Sequence, residues 1–142
     1  MPVPSDALAL YAAVILLFPM LCFFLSSPAF LLVGLEVPEV TQLLRSLFNG
    51  CFLVMGVAGA LSATGFVAAG RPVFGVGALA AAMVAITARR WFLRRMDTEL
   101  KARQAGSSTA VPRLRALHVK GMLLNALQLA TVAASVPLIV KA

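Results

Sequence analysis

RALHVKGMLLNALQLA, residues 115–130, holds the single histidine of the chain, with an asparagine and a glutamine set in an otherwise apolar run. His118, Gly121, Asn125 and Gln128 stand at i, i+3, i+7 and i+10, which is one stripe along one face of an α-helix, with Met122 beside it. An amide side chain turned to hydrocarbon without a partner costs on the order of several kcal/mol, so the stripe is expected to face protein. Asn125 and Gln128 read as interhelical hydrogen-bond formers. Gly121 reads as a point where another element approaches the backbone closely.

This segment is one of four. Apolar stretches at about 7–25, 47–69, 73–91 and 117–140 each approach the roughly 20 residues that cross a bilayer. With 61% of residues apolar and 12% charged, the chain lies outside the range of soluble domains. Its mean hydropathy of +0.98 points the same way. The reading is an all-α integral membrane protein, residues 1–142 forming a single bundle of four transmembrane helices.

The third span is short on apolar residues alone, from about Val73 to Thr87. It lengthens because Arg89 and Arg90 can snorkel and Trp91 can anchor at the interface, with Arg94 and Arg95 beyond them. The helix is expected to continue through RRMDTELKARQ as an amphipathic stalk, so that a basic stalk and linker occupy about 89–116. GSSTAVPR, residues 106–113, is the clearest linker, with Pro112 opening the last helix. SSPAFLLVGLEVPEVTQLLR, residues 26–45, is broken by Pro28, Gly34 and Pro38 and reads as a re-entrant or interfacial loop, the second helix starting as early as Pro38.

The net charge is +7, and nine of the twelve basic residues lie between Arg89 and Lys120. A basic run between two apolar segments signals topology and headgroup contact, so anionic lipid headgroups are expected partners of this loop and nucleic acid is not. Ten basic residues fall on the loop side against Arg71 and Lys141 on the other, which predicts an N-out/C-out protein of a bacterial inner membrane. No basic stretch precedes the first span and no cleavage site follows it, so that span is expected to be retained.

Chemistry is sparse. An imidazole such as His118 suits haem or a metal, but there is no second histidine and no carboxylate in any span. Met122 or another chain would have to complete a site, so a polar contact at the inner headgroup level is the simpler expectation and no metal site is predicted. Cys22 and Cys51 lack a CxxC partner and read as buried small hydrophobes. Gly56, Ala60 and Thr64, Gly59 and Ala63, and Gly77, Ala81 and Ala85 form small-xxx-small patterns that suit close helix packing. Pro19 leaves the Ile15 carbonyl without its helical partner and predicts a kink. Phe18, Phe23, Phe24 and Phe30 around it offer aromatic surface to lipid, a quinone, a pigment or another subunit.

The absence of an acid in any span argues against a cation or drug exporter. Unpaired thiols argue against quinone-linked disulfide chemistry. RALHVKGMLLN resembles the Arg, His and Asn of glutathione-type membrane enzymes, but their acid is missing. No enzymatic activity and no catalytic residue are expected.

PRLRALHVKGMLLNALQLATV, preceded by the stalk RRMDTELKAR, resembles the end of the four-helix transmembrane-205-like family, a domain of unknown function. The resemblance extends to FFLSSPAFLL and to LLRSLFNGCFLV, and departs at Val119 and Lys120, where that family places small or hydroxyl residues. It implies a four-helix fold with His118, Asn125 and Gln128 at family positions. The function expected is a non-catalytic accessory or scaffold subunit packing against a larger membrane complex of respiratory or photosynthetic type. The alternatives are a haem-, quinone- or lipophilic-ligand-binding protein using His118, and a small transporter or stress-tolerance protein.

Overall fold

Two Ala-Gly pairs end helices in this chain by the same device. In the computed structural model, which describes residues 4–141, the helices are α1 (Ser5–Ser26), α2 (Pro38–Ala68), α3 (Pro72–Gln104) and α4 (Ala110–Lys141). After α2, Gly70 takes φ +74°. Its amide donates to the Val67 carbonyl and that of Arg71 to the Phe66 carbonyl, at 3.0 and 2.8 Å. After α3, Gly106 at φ +87° repeats the geometry, with Gly106 donating to Arg103 and Ser107 to Ala102 at 2.9 and 3.0 Å. Both are Schellman closures, in which a left-handed residue lets the chain reverse while the last carbonyls stay bonded. Pro72 then opens α3, where a missing N–H costs nothing.

Short connections make successive helices antiparallel, and all four are long and apolar enough to cross a membrane. The chain is therefore an all-α four-helix bundle in contact with lipid. In the ring of helices α2 packs most extensively on α3, α1 lies between α2 and α4, and α3 against α4 is the thinnest of the four contacts. At 33 residues α3 is the longest helix among the described residues. It reaches about 50 Å, well past a hydrocarbon core of about 30 Å, and so continues as the expected stalk to Gln104.

Between α1 and α2 the chain forms a 3-10 turn, Ser27–Leu31, before α2 begins at Pro38 as its position predicted. The helix therefore takes back residues 38–45 from the segment read as a loop. α4 opens at Ala110, two residues before Pro112, which the first turn tolerates because its amides have no helical acceptor. Pro19 lies within an uninterrupted α1.

The core is aromatic at one level and made of small residues at another. Phe23, Phe48 and Phe52 are fully buried and Phe92 nearly so. Their rings meet at 5.3 to 5.9 Å, mostly edge to face; each such pair contributes about 1 kcal/mol beyond burial alone. Further along, Gly56 and Gly59 of α2 face α3: a Cβ on Gly59 would lie 2.8 Å from Ala82 Cβ and 2.9 Å from the Ala78 carbonyl oxygen. Between apolar helices in lipid, where burial provides no net drive, such close contact is a main source of association.

The sequence reading of α3 is corrected at one position. Gly77 is exposed with open space where a Cβ would stand, and the glycine at the α2 interface is Gly75, whose Cβ would lie 3.1 Å from the Ala63 carbonyl oxygen. The buried row is Gly75, Ala78, Ala82 and Ala85. The expectation of two buried thiols also fails: Cys51 is half-buried, and Cys22 is exposed on α1. A weakly polar thiol needs no protein cover where the surrounding solvent is itself apolar.

Candidate functional site

The α4 stripe faces its own bundle. His118 is fully buried, with Nε2 at 2.8 Å from the hydroxyl of Ser27, itself fully buried in the 3-10 turn. The rings of Phe30 and Phe48 stand edge-on to the imidazole at 6.0 and 6.1 Å. A haem iron or quinone at Nε2 would have to displace Ser27. One turn on, a Cβ at Gly121 would run into the ring of Phe48, so the small residue is what lets that ring lie against the α4 backbone. Asn125, also fully buried, donates through Nδ2 to the Met20 carbonyl at 3.0 Å. Three of the four stripe residues thus fasten α4 to α1, the 3-10 turn and α2. The fourth, Gln128, is half-buried and its Oε1 has no partner among the described residues, as is true of Asn125 Oδ1 and His118 Nδ1.

Three sequence segments converge here. FFLSSPAFLL supplies Phe23, Ser27 and Phe30, LLRSLFNGCFLV supplies Phe48, and the α4 segment supplies His118 and Gly121. Ser27 was missed by sequence reasoning. Its only signal is its place before Pro28, which starts the 3-10 turn and ends the run of α1.

The basic end of the bundle divides into used and unused cations. Arg89 donates to Asn49 Oδ1 of α2 at 2.6 and 3.0 Å. Arg103 reaches the Leu35 carbonyl at 3.0 Å and Thr41 Oγ1 at 2.9 Å, and Arg115 reaches the Leu31 carbonyl at 3.0 Å. These two clamp the segment after α1 onto the stalk and α4. Arg45 and Asp97 pair across α2 and α3 at 2.6 Å, half-exposed; Arg113 and Glu99 stand at 3.8 Å. At the opposite end, Arg71 bonds Asp6 at 2.7 Å and the Ile139 carbonyl, tying the start of α1 and the end of α4 to the α2–α3 turn.

The remaining interface anchors behave differently. Among the described residues the guanidinium groups of Arg90, Arg94 and Arg95 form no hydrogen bond or ion pair with protein. Arg95 instead lies 5.7 Å above the ring of the exposed Trp91. With Thr87 and Thr98 these residues line an open cleft on α3. It adjoins an apolar groove of about 490 Å³ between α3 and α4, lined by Met83, Val84, Ala88, Phe92 and Leu124, with Thr87 and Trp91 shared by both.

No group of three or more His, Cys, Asp or Glu side chains placed to hold a metal occurs among the described residues. No protein-family model, curated protein or solved structure matches the chain. What stands is a four-helix membrane architecture, with no family identified.

Proposed function

We propose that the chain is a non-catalytic accessory or scaffold subunit that packs against a larger membrane complex of respiratory or photosynthetic type. The observation that carries this reading is the unequal burial of the four spans. The bundle covers 39% of the most apolar window of α1 and of α2 and 28% in α3, but only 11% in α4. The outward side of α4 includes Ala130, Ala133 and Ala134, which are exposed, with Ala126 half-exposed. Ala126, Ala130 and Ala134 repeat every fourth residue, a spacing that suits close approach of a helix from another subunit. The buried polar groups support the same reading, since His118 and Asn125 are engaged in holding the bundle together.

Ten basic residues on the side of the α3–α4 loop support an N-out/C-out arrangement in a bacterial inner membrane as part of this reading. The family resemblance fits in one respect: its three short motifs meet at Ser27, Phe48 and His118, which are fold-holding positions. Extraction of native membranes into polymer discs, followed by mass measurement of the intact particle, tests the proposal. Co-migration with a larger complex, lost in the Ala130→Leu, Ala134→Leu double variant, is expected. A chain that runs alone contradicts it.

A further inference from the structure

We infer that the α3–α4 groove and its arginine mouth form a binding site for one anionic phospholipid, with the phosphodiester at Arg90, Arg94 and Arg95 and an acyl chain along Met83, Ala88 and Leu124. This goes beyond the accessory role and does not depend on which complex the chain joins. The arginines sort into two groups. Six arginines, at positions 45, 71, 89, 103, 113 and 115, have a carbonyl, amide, hydroxyl or carboxylate partner within the protein. The three without an acceptor among the described residues occupy one continuous face of α3, at i, i+4 and i+5.

Position along the helix then selects the ligand. The arginine cleft and the apolar groove share Thr87 and Trp91, so charge recognition and chain recognition are joined end to end. The groove runs from the arginines toward Met83, in the direction of the apolar body of the span. Trp91 stands at the junction, where an amphipathic ring suits the level of the glycerol backbone. Lys120, on the α4 face one turn toward the basic end from the groove residue Leu124, is exposed and adds a further cation on the neighbouring helix. A phosphodiester lipid presents an anion with acceptor oxygens above an apolar chain, which matches guanidinium forks above an apolar channel. A zwitterionic headgroup brings its own cation to the same arginines and is disfavoured.

The test is competitive retention. The protein is reconstituted in nanodiscs of mixed phosphatidylglycerol and phosphatidylcholine, and the lipids kept after stepwise delipidation are counted by native mass spectrometry. Phosphatidylglycerol is expected to be retained over phosphatidylcholine. The Arg90→Gln, Arg94→Gln, Arg95→Gln variant is expected to lower that preference by at least about tenfold, since each cation near an anionic headgroup is worth roughly a fivefold preference. Ala88→Phe, which fills the groove and leaves every charge in place, is expected to lower phosphatidylglycerol retention too, which keeps the proposal testable if the triple variant does not fold. Arg45→Gln, which removes a cation already paired with Asp97, is expected to retain lipid like the parent, and millimolar glycerol phosphate is expected not to displace it. Equal retention in parent and triple variant, equal loss in Arg45→Gln, or an acidic protein bound in place of lipid would each overturn the assignment.

Discussion

Helix α3 meets its two neighbours in opposite ways. Against α2 it presents Ala78 and Ala82 to Gly59, Ile86 to Gly56 and Gly75 to Ala63, so close that Gly59 leaves no room for a Cβ. Against α4 it presents Met83, Thr87, Ala88 and Trp91 across an open groove. One side spends small residues on backbone approach and closes; the other keeps larger side chains apart and leaves space. In lipid, where apolar burial drives helices together only weakly, this difference in shape decides which seam is structural and which is free to take a ligand.

Breaking the closed seam has the largest expected effect. Gly59→Leu forces a side chain onto the Ala78 carbonyl and Ala82, and should destabilise the bundle by about 3 kcal/mol, the upper part of the range for overpacking. Reversible unfolding in mixed micelles, or steric trapping in bicelles, measures it. Gly121→Val acts at the α4 stripe and should cost about 2 kcal/mol, because the Phe48 ring it meets is held by Phe23, Phe52 and Phe92.

How much of this was legible follows from the kind of signal each residue carries. The four spans, the stalk and the stripe of His118, Gly121 and Asn125 follow from hydropathy and period, which depend on one helix at a time. What faces the stripe does not. The hydroxyl of Ser27 and the Met20 carbonyl are 91 and 105 residues away in the chain, and no local pattern marks a serine or a backbone oxygen as a hydrogen-bond partner for a distant helix. Gly77 shows the limit of the small-residue pattern. Gly75 and Gly77 are two apart and so lie on opposite sides of α3, and the sequence marks neither side as the one that meets α2. Likewise the basic residues read as one run, whereas the structure separates Arg89, Arg103 and Arg115, bonded within the bundle, from Arg90, Arg94 and Arg95, which have no hydrogen-bond partner for their guanidinium groups among the described residues.

Smaller effects sharpen the contrast. Asn125→Ala removes the amide bond to Met20, and should cost about 1 kcal/mol by the same unfolding assay, typical of interhelical hydrogen bonds in lipid. Asp97→Asn, at a half-exposed pair, should cost about 0.5 kcal/mol and lose that effect in high salt. Gly77→Ala should have the opposite sign. With nothing within 4 Å of its new methyl group, it should gain up to about 1 kcal/mol in helix propensity, while Gly75→Ala, two residues away, should destabilise.

Oxygen accessibility of a spin label tests most directly the claim that the interior of the bundle around Ser62 is closed while the α3–α4 seam is open. Single cysteines replace Ala88 at the groove and Ser62, which is fully buried and donates to the Ala12 carbonyl at 2.8 Å, in a chain with Cys22 and Cys51 changed to serine. In bilayers the label at position 88 is expected to collide with dissolved oxygen several-fold more often than the label at position 62. Equal collision rates, or a label at position 62 the more accessible of the two, would contradict the account.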